Sequence, residues 1–256
     1  MRARRKGFSQ KSTHARKNRR REPARDPPRL PARAGVARVR AGGERFRRTP
    51  AACAACHGKH GEGVRGAEYY PHLAGKPAGY LFEQLKGFRD GRRASAQMAW
   101  YVRFADDAFL RRIADFYAAL PPRTRSADTG AAQLTEERRR VAQSLVEHGD
   151  PAHDVPACSA CHGANLAGLE PGVPALLGLP ADYVIAQFGA WREGVRNGAP
   201  PDCMHDVAGK VASDDIRAIA AYLSQQSNVD GVRPAPAGSF VPPKACGSLP
   251  HAQVAK

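Results

Sequence analysis

Cys53-Ala54-Ala55-Cys56-His57-Gly58 and Cys158-Ser159-Ala160-Cys161-His162-Gly163 are two copies of one pattern, 105 residues apart. The repetition extends beyond the cysteines. At an offset of 103, Pro71, Tyr80, Gln84, Arg89, Gly91 and Arg93 match Pro174, Tyr183, Gln187, Arg192, Gly194 and Arg196. At an offset of 106, Met98, Ile113 and Ala114 match Met204, Ile219 and Ala220. Self-similarity on this scale marks a tandem duplication with small insertions and deletions.

Each copy reads as helices joined by loops. Leu81, Leu85 and Phe88 share one helical face, as do Ile185, Phe188 and Trp191, and Gly91 and Gly194 stand where those helices stop. A closing helix follows in each copy, marked by Phe109, Ile113, Phe116 and Leu120, then by Ile216, Ile219 and Leu223. No alternating β pattern of useful length occurs, so the expected fold class is all-α with two tandem domains. The expected divisions are a leader (1–44), a first domain (45–121), a polar linker (122–132), a second domain (133–228) opening with a helix over about 133–148, and a C-terminal tail (229–256).

A formal net charge of +16 suggests nucleic acid until its distribution is inspected. The first 50 residues carry 18 Lys or Arg against Glu22, Asp26 and Glu44, whereas the other 206 carry 22 basic and 21 acidic side chains. The body is close to neutral. The leader, rich in Arg and Pro and poor in apolar residues, is expected to be disordered and solvated. It has no interleaved aromatics for base stacking, so no nucleic-acid partner is expected. It also lacks the apolar segment of an export signal, and no stretch reaches the length of a membrane span.

Two residues between the cysteines place both thiols on one side of a helix, and the next residue, a histidine, extends beside them. That is the spacing of covalent c-type haem attachment through Cys53, Cys56, Cys158 and Cys161, with His57 and His162 as iron ligands. A redox dithiol would sit after a strand in a βαβ setting, which is missing. A zinc site would have only two cysteines and one histidine in each copy. Apart from Met1 the chain has two methionines, Met98 and Met204, which lie 41 and 42 residues after the two histidines. Paired spacing of so scarce a residue marks them as the second axial ligands, a soft thioether being suited to an electron-transfer haem. His205, beside Met204, is the competing donor. The cofactors expected are therefore two covalently bound haem c groups. His60, His72, His148 and His153 are expected at the surface or in loops, and Trp100 and Trp191 in the core or against a haem edge.

With these residues assembled, the chain over roughly 45–226 resembles the cytochrome c-four family, the diheme class I cytochromes c of the bacterial periplasm. The resemblance rests on both haem motifs, on Tyr70-Pro71-His72-Leu73-Ala74-Gly75, and on the run from Tyr80 to Arg93. The second copy is looser, with Val173-Pro174-Ala175-Leu176-Leu177-Gly178 at the corresponding place. The resemblance implies that the Pro71 and Pro174 carbonyls accept hydrogen bonds from His57 and His162, which orients each imidazole. It also implies a periplasmic electron carrier, not an enzyme, that shuttles electrons between respiratory complexes. A quinol-oxidising complex or a dehydrogenase would be the donor and a terminal oxidase the acceptor, and peripheral membrane association is left open. Alternatives are a diheme peroxidase or thiosulfate-oxidising enzyme, which would need an open iron position, and an electron-accepting subunit of a membrane dehydrogenase.

Export is required for haem attachment, yet the leader carries no export signal. Residues upstream of about 45 are accordingly read as a wrongly chosen start or a shifted reading frame. Cys203 and Cys246 remain after the haem cysteines, and in an oxidising compartment they could pair or stay free.

Overall fold

The computed structural model describes residues 51–64, 69–122, 133–226 and 232–249. The expectations for the leader, and for most of the linker, lie outside these residues.

The first repeat comprises α1 (51–57), α2 (Ala78–Arg89), α3 (Ala96–Val102) and α4 (Asp107–Ala119). The second comprises α5 (Glu136–Glu147), a 3-10 turn (Pro151–His153), α6 (Cys158–His162), α7 (Ala181–Arg192), α8 (Cys203–Lys210) and α9 (Ser213–Ser224). Among the described residues there is no strand, only isolated bridges. The elements correspond in pairs, α1 with α6, α2 with α7, α3 with α8 and α4 with α9.

The helix starts are written locally. Ser95, Asp106, Thr135 and Asp202 each accept hydrogen bonds from backbone N–H groups of the first turn, satisfying donors that have no partner inside the helix. At the other end, Gly91 and Gly194 follow α2 and α7 with φ of 77° and 69°, the left-handed geometry that lets the chain turn back.

Each repeat has its own core. In the first, α2 packs on α4 around Leu81, Phe82, Leu110, Ile113 and Tyr117. In the second, α5 and α7 pack on α9 around Val146, Val184, Phe188, Ile216, Ile219 and Leu223. Full burial of each large apolar side chain contributes about 1.5–3 kcal/mol.

Several side chains depart from expectation. Val184, not Ile185, joins Phe188 in the core, and Ile185 is 36% exposed. One residue rotates the helix by about 100°, enough to move a side chain from the stripe to its edge. Phe116 is likewise at the surface, edge-on to the buried Tyr117. Trp100, expected to be packed, is 59% exposed on α3. Trp191 is half-buried, with the Arg196 guanidinium 3.9 Å above its ring. His72, expected at the surface, is buried. The described part of the tail, 232–249, lies on the second repeat, where Cys246 and Leu249 join Leu169 and Val173 in a small apolar cluster.

No described helix is long and apolar enough to cross a membrane.

Candidate functional site

α1 carries Cys53, Cys56 and His57, and α6 carries Cys158, Cys161 and His162. On a helix, residues three apart share a face, so each motif turns two thiols and an imidazole towards one space. Both histidines are buried. His57 Nδ1 donates to the Pro71 carbonyl at 2.7 Å, and His162 Nδ1 donates to the Pro174 carbonyl at the same distance. A carbonyl only accepts, so each Nδ1 carries the proton and each Nε2 keeps its lone pair. Burial lowers both imidazole pKa values, against the opposing effect of these hydrogen bonds, which favours the neutral form that a metal needs.

Cys53, Cys158 and Cys161 are pushed the other way. Burial raises Cys53, partly offset by a hydrogen bond with Tyr117. Burial raises Cys158 to about 11, and Cys161 is raised as well despite nearby Lys244. A redox dithiol depends on a depressed thiol pKa, so these environments argue against that alternative. Among the described residues no group of three or more His, Cys, Asp or Glu side chains has the arrangement that would hold a bare metal ion, as a zinc site would require.

Each motif opens into a cavity that also receives the methionine of its own repeat. The first, about 620 Å³, is lined by Cys53, Cys56, His57 and Met98. The second is narrower, about 180 Å³, and is lined by Cys158, Cys161, His162 and Met204. Met98 and Met204 sit in the first turns of α3 and α8, their backbone N–H groups held by Ser95 Oγ at 3.3 Å and Asp202 Oδ1 at 3.2 Å. His205 is turned elsewhere. Its Nδ1 donates to the Trp191 carbonyl at 2.9 Å, and it is not among the residues lining the second cavity.

A second set of duplicated residues stands between the cavities and lines both: Tyr80, Gln84 and Arg93 with Tyr183, Gln187 and Arg196. Arg93 donates to Gln84 at 2.8 Å and crosses to Gln187 at 3.0 Å and Tyr183 at 3.3 Å. Arg196 mirrors it, donating to Gln187 at 2.6 Å and crossing to Gln84 at 3.1 Å and Tyr80 at 3.3 Å. An antiparallel bridge joins Arg93 to Arg196 directly, flanked by Ala94 N–H to the Val195 carbonyl and Asn197 N–H to the Arg92 carbonyl, both at 2.7 Å. The repeats thus dock like to like. Sequence comparison shows these residues as repeated but assigns them no role; the available signal was a polar Tyr, Gln and Arg set kept in both copies.

Arg196 is buried, and burial together with neighbouring Arg93 lowers its pKa. Among the described residues neither guanidinium has a carboxylate partner. Two adjacent cations without a counter-charge are costly, and carboxylates entering the flanking cavities would relieve them. A haem fits this site on three counts: paired thiols beside a histidine with its lone pair free, a thioether in the same cavity, and cationic groups placed for haem carboxylates.

The comparisons with known proteins agree. The cytochrome c family model matches residues 41–111. The chain is 39% identical over 178 residues to the thiosulfate dehydrogenase electron acceptor of Thiomonas intermedia, covering 69% of this chain and 79% of that one. It is 33% identical to cytochrome c4 of Pseudomonas aeruginosa, covering 68% of this chain and 83% of that one. Among solved structures, reduced recombinant cytochrome c4 from Pseudomonas stutzeri superposes with a TM-score of 0.59 at 28% identity, over 72% of this chain and 98% of that one. Thiosulfate dehydrogenase (TsdBA) from Marichromatium purpuratum gives a TM-score of 0.60 at 33% identity, over 72% of this chain but spanning only 40% of that one. Duplicated haem motifs, a helical domain around each, and this similarity over most of the relatives' length place the chain in the cytochrome c4 family, the diheme c-type electron carriers.

Proposed function

We propose that this protein carries electrons outside the cytoplasm, accepting them from a dehydrogenase of the thiosulfate-oxidising type and delivering them towards a terminal oxidase. The observation that carries the electron-carrier part is the pair of cavities, each lined by one Cys-x-x-Cys-His motif and one methionine. In this reading Cys53, Cys56, Cys158 and Cys161 anchor the haems. His57 with Met98 and His162 with Met204 would hold the two irons, and Pro71 and Pro174 would keep the imidazoles in orientation. Bound haem supplies an iron that alternates between its ferrous and ferric states. With an imidazole and a thioether both available to each iron, no donor position would be left for a substrate, which would separate a carrier from an enzyme.

The donor is argued from similarity. Relatives named as thiosulfate dehydrogenase electron acceptors match at 39% and 34% identity, above the 33% of the cytochrome c4 from Pseudomonas aeruginosa. Placement outside the cytoplasm is supported by the Cys203–Cys246 disulfide, since such bonds persist in oxidising compartments.

The test begins with mass and visible spectra of the protein matured in a host that attaches haem. Two covalent haems and a far-red ferric band from Met–iron bonding are expected. Mixing with a purified thiosulfate dehydrogenase and thiosulfate should then reduce both haems. A protein with two Met-ligated haems that this mixture leaves oxidised would refute the donor while retaining the carrier.

A further inference from the structure

One duplicated pattern builds both sites, yet their outer rims differ. On α3 and the turn that follows it, beside the first cavity, Trp100, Tyr101 and Phe104 are exposed, Phe104 by 89%. Arg103 lies over the Trp100 and Phe104 rings at 4.8 and 4.7 Å. At the offset of 106 that aligns the two methionines, α8 carries Asp206, Val207 and Lys210 at the places of those three aromatics. These residues help to form a seat for the C-terminal segment. Lys244 Nζ lies 2.8 Å from Asp154 and 2.7 Å from Asp206, and Lys210 Nζ lies 2.6 and 2.7 Å from the same two carboxylates.

Residues 232–249 reach this seat as an irregular strap of turns and bends, tied along its length. Ala235 N–H donates to the Gly168 carbonyl and Glu170 N–H to the Ala235 carbonyl, both at 2.9 Å. Gly247 N–H donates to the Pro201 carbonyl at 2.8 Å. Cys246 is disulfide-bonded to Cys203, the residue before Met204. Pro242 and Leu249 are buried. Pro242, Lys244, Cys246, Ser248 and Leu249 all line the second cavity, whereas no residue lining the first comes from beyond Arg196. Ordering this many residues costs conformational entropy, which the cross-link and the buried side chains offset.

We propose that residues 232–249 are an intramolecular cover that closes the second haem site to solvent and to other proteins, so that the first site is the accessible one. The proposal rests on the diheme reading. A partner approaching α8 meets the chain's own strap, whereas one approaching α3 meets the exposed aromatic face.

The test uses the full-length ferrous holoprotein and a soluble gadolinium chelate, which broadens NMR signals of groups it can approach. The haem-methyl and Met98 methyl resonances of the first site should broaden, and those of the second site, with Met204, should stay sharp. Lys244→Glu combined with Cys203→Ser and Cys246→Ser should release the strap and remove that protection. If this variant does not accumulate, a chain ending at residue 231 gives the same readout. Equal broadening of both sites in the parent protein would overturn the proposal, as would protection of the second site that survives release of the strap. A parent protein lacking a second covalent haem would instead refute the diheme reading, and mass spectrometry separates that case.

Discussion

Arg93 and Arg196 occupy equivalent places in the two repeats and meet at their junction, each donating to the glutamine of the other repeat, at 3.0 Å for Arg93 to Gln187 and 3.1 Å for Arg196 to Gln84. The duplication has therefore become a docking surface. Two copies of one polar set complete each other's hydrogen bonds between the two haem cavities.

Arg196→Ala removes three of the junction's hydrogen bonds and the cation above Trp191. Gln84 and Gln187 each keep a hydrogen bond from Arg93, whereas the Tyr80 hydroxyl loses the one from Arg196, so the cost in chemical unfolding should be about 1–2 kcal/mol. Because Arg196 lines both cavities, loss of its positive charge should also lower both reduction potentials in a spectroelectrochemical titration. A change at one haem alone would show that the arginine serves a single site.

Met98→Ala and Met204→Ala should each abolish about half of the far-red ferric band, the two haems being ligated independently. Met98→His and Met204→His should restore six-coordination at a lower potential. An unchanged spectrum in either variant would remove that methionine from the ligand set.

Gly79, in the first turn of α2, lies against the second repeat. A Cβ there would sit 2.6 Å from the Pro171 carbonyl oxygen, beside the hydrogen bond from Tyr80 N–H to the same oxygen. Gly79→Ala should destabilise by about 1–3 kcal/mol through overpacking. Gly189, inside α7, has nothing within 4 Å of its would-be Cβ. Gly189→Ala should stabilise by about 0.5–1 kcal/mol. Thermal denaturation of the two variants, with opposite shifts expected, checks both.

Acid should loosen the strap. Hydrogen bonds from Lys210 and Lys244 hold the Asp154 carboxyl down to about 2, below the ordinary carboxylate value. A depressed folded-state pKa gives stability that is present above the unfolded value and lost as pH falls through the folded one. Protection of the second site should decline as pH drops from about 4 towards 2, and Asp154→Asn should reduce that dependence. The pairs are at the surface, so the effect should be small and should weaken with salt.

The parts of the site that share one repeat were legible in the chain. Two cysteines at i and i+3 followed by histidine fall together on any helix, and helical periodicity marks α2, α4 and α9. Scarcity singled out Met98 and Met204, and both line the cavities that hold the motifs. Periodicity was less able to tell Val184 from Ile185, because neighbouring residues on a helix differ by a rotation that packing alone resolves.

The sequence by itself determined the duplication, the two haem motifs and the helical class, all of which follow from local spacing and composition. The tertiary structure decided which surfaces meet: Arg93 with Arg196, Cys246 with Cys203 where either could have stayed free, and the strap against α8 while Trp100 faces outward. Those contacts join residues from 38 positions apart, for Lys244 and Asp206, to 103 apart, for Arg93 and Arg196. Their partners are chosen by burial and charge compensation in the folded chain, and no periodicity along the sequence carries that information.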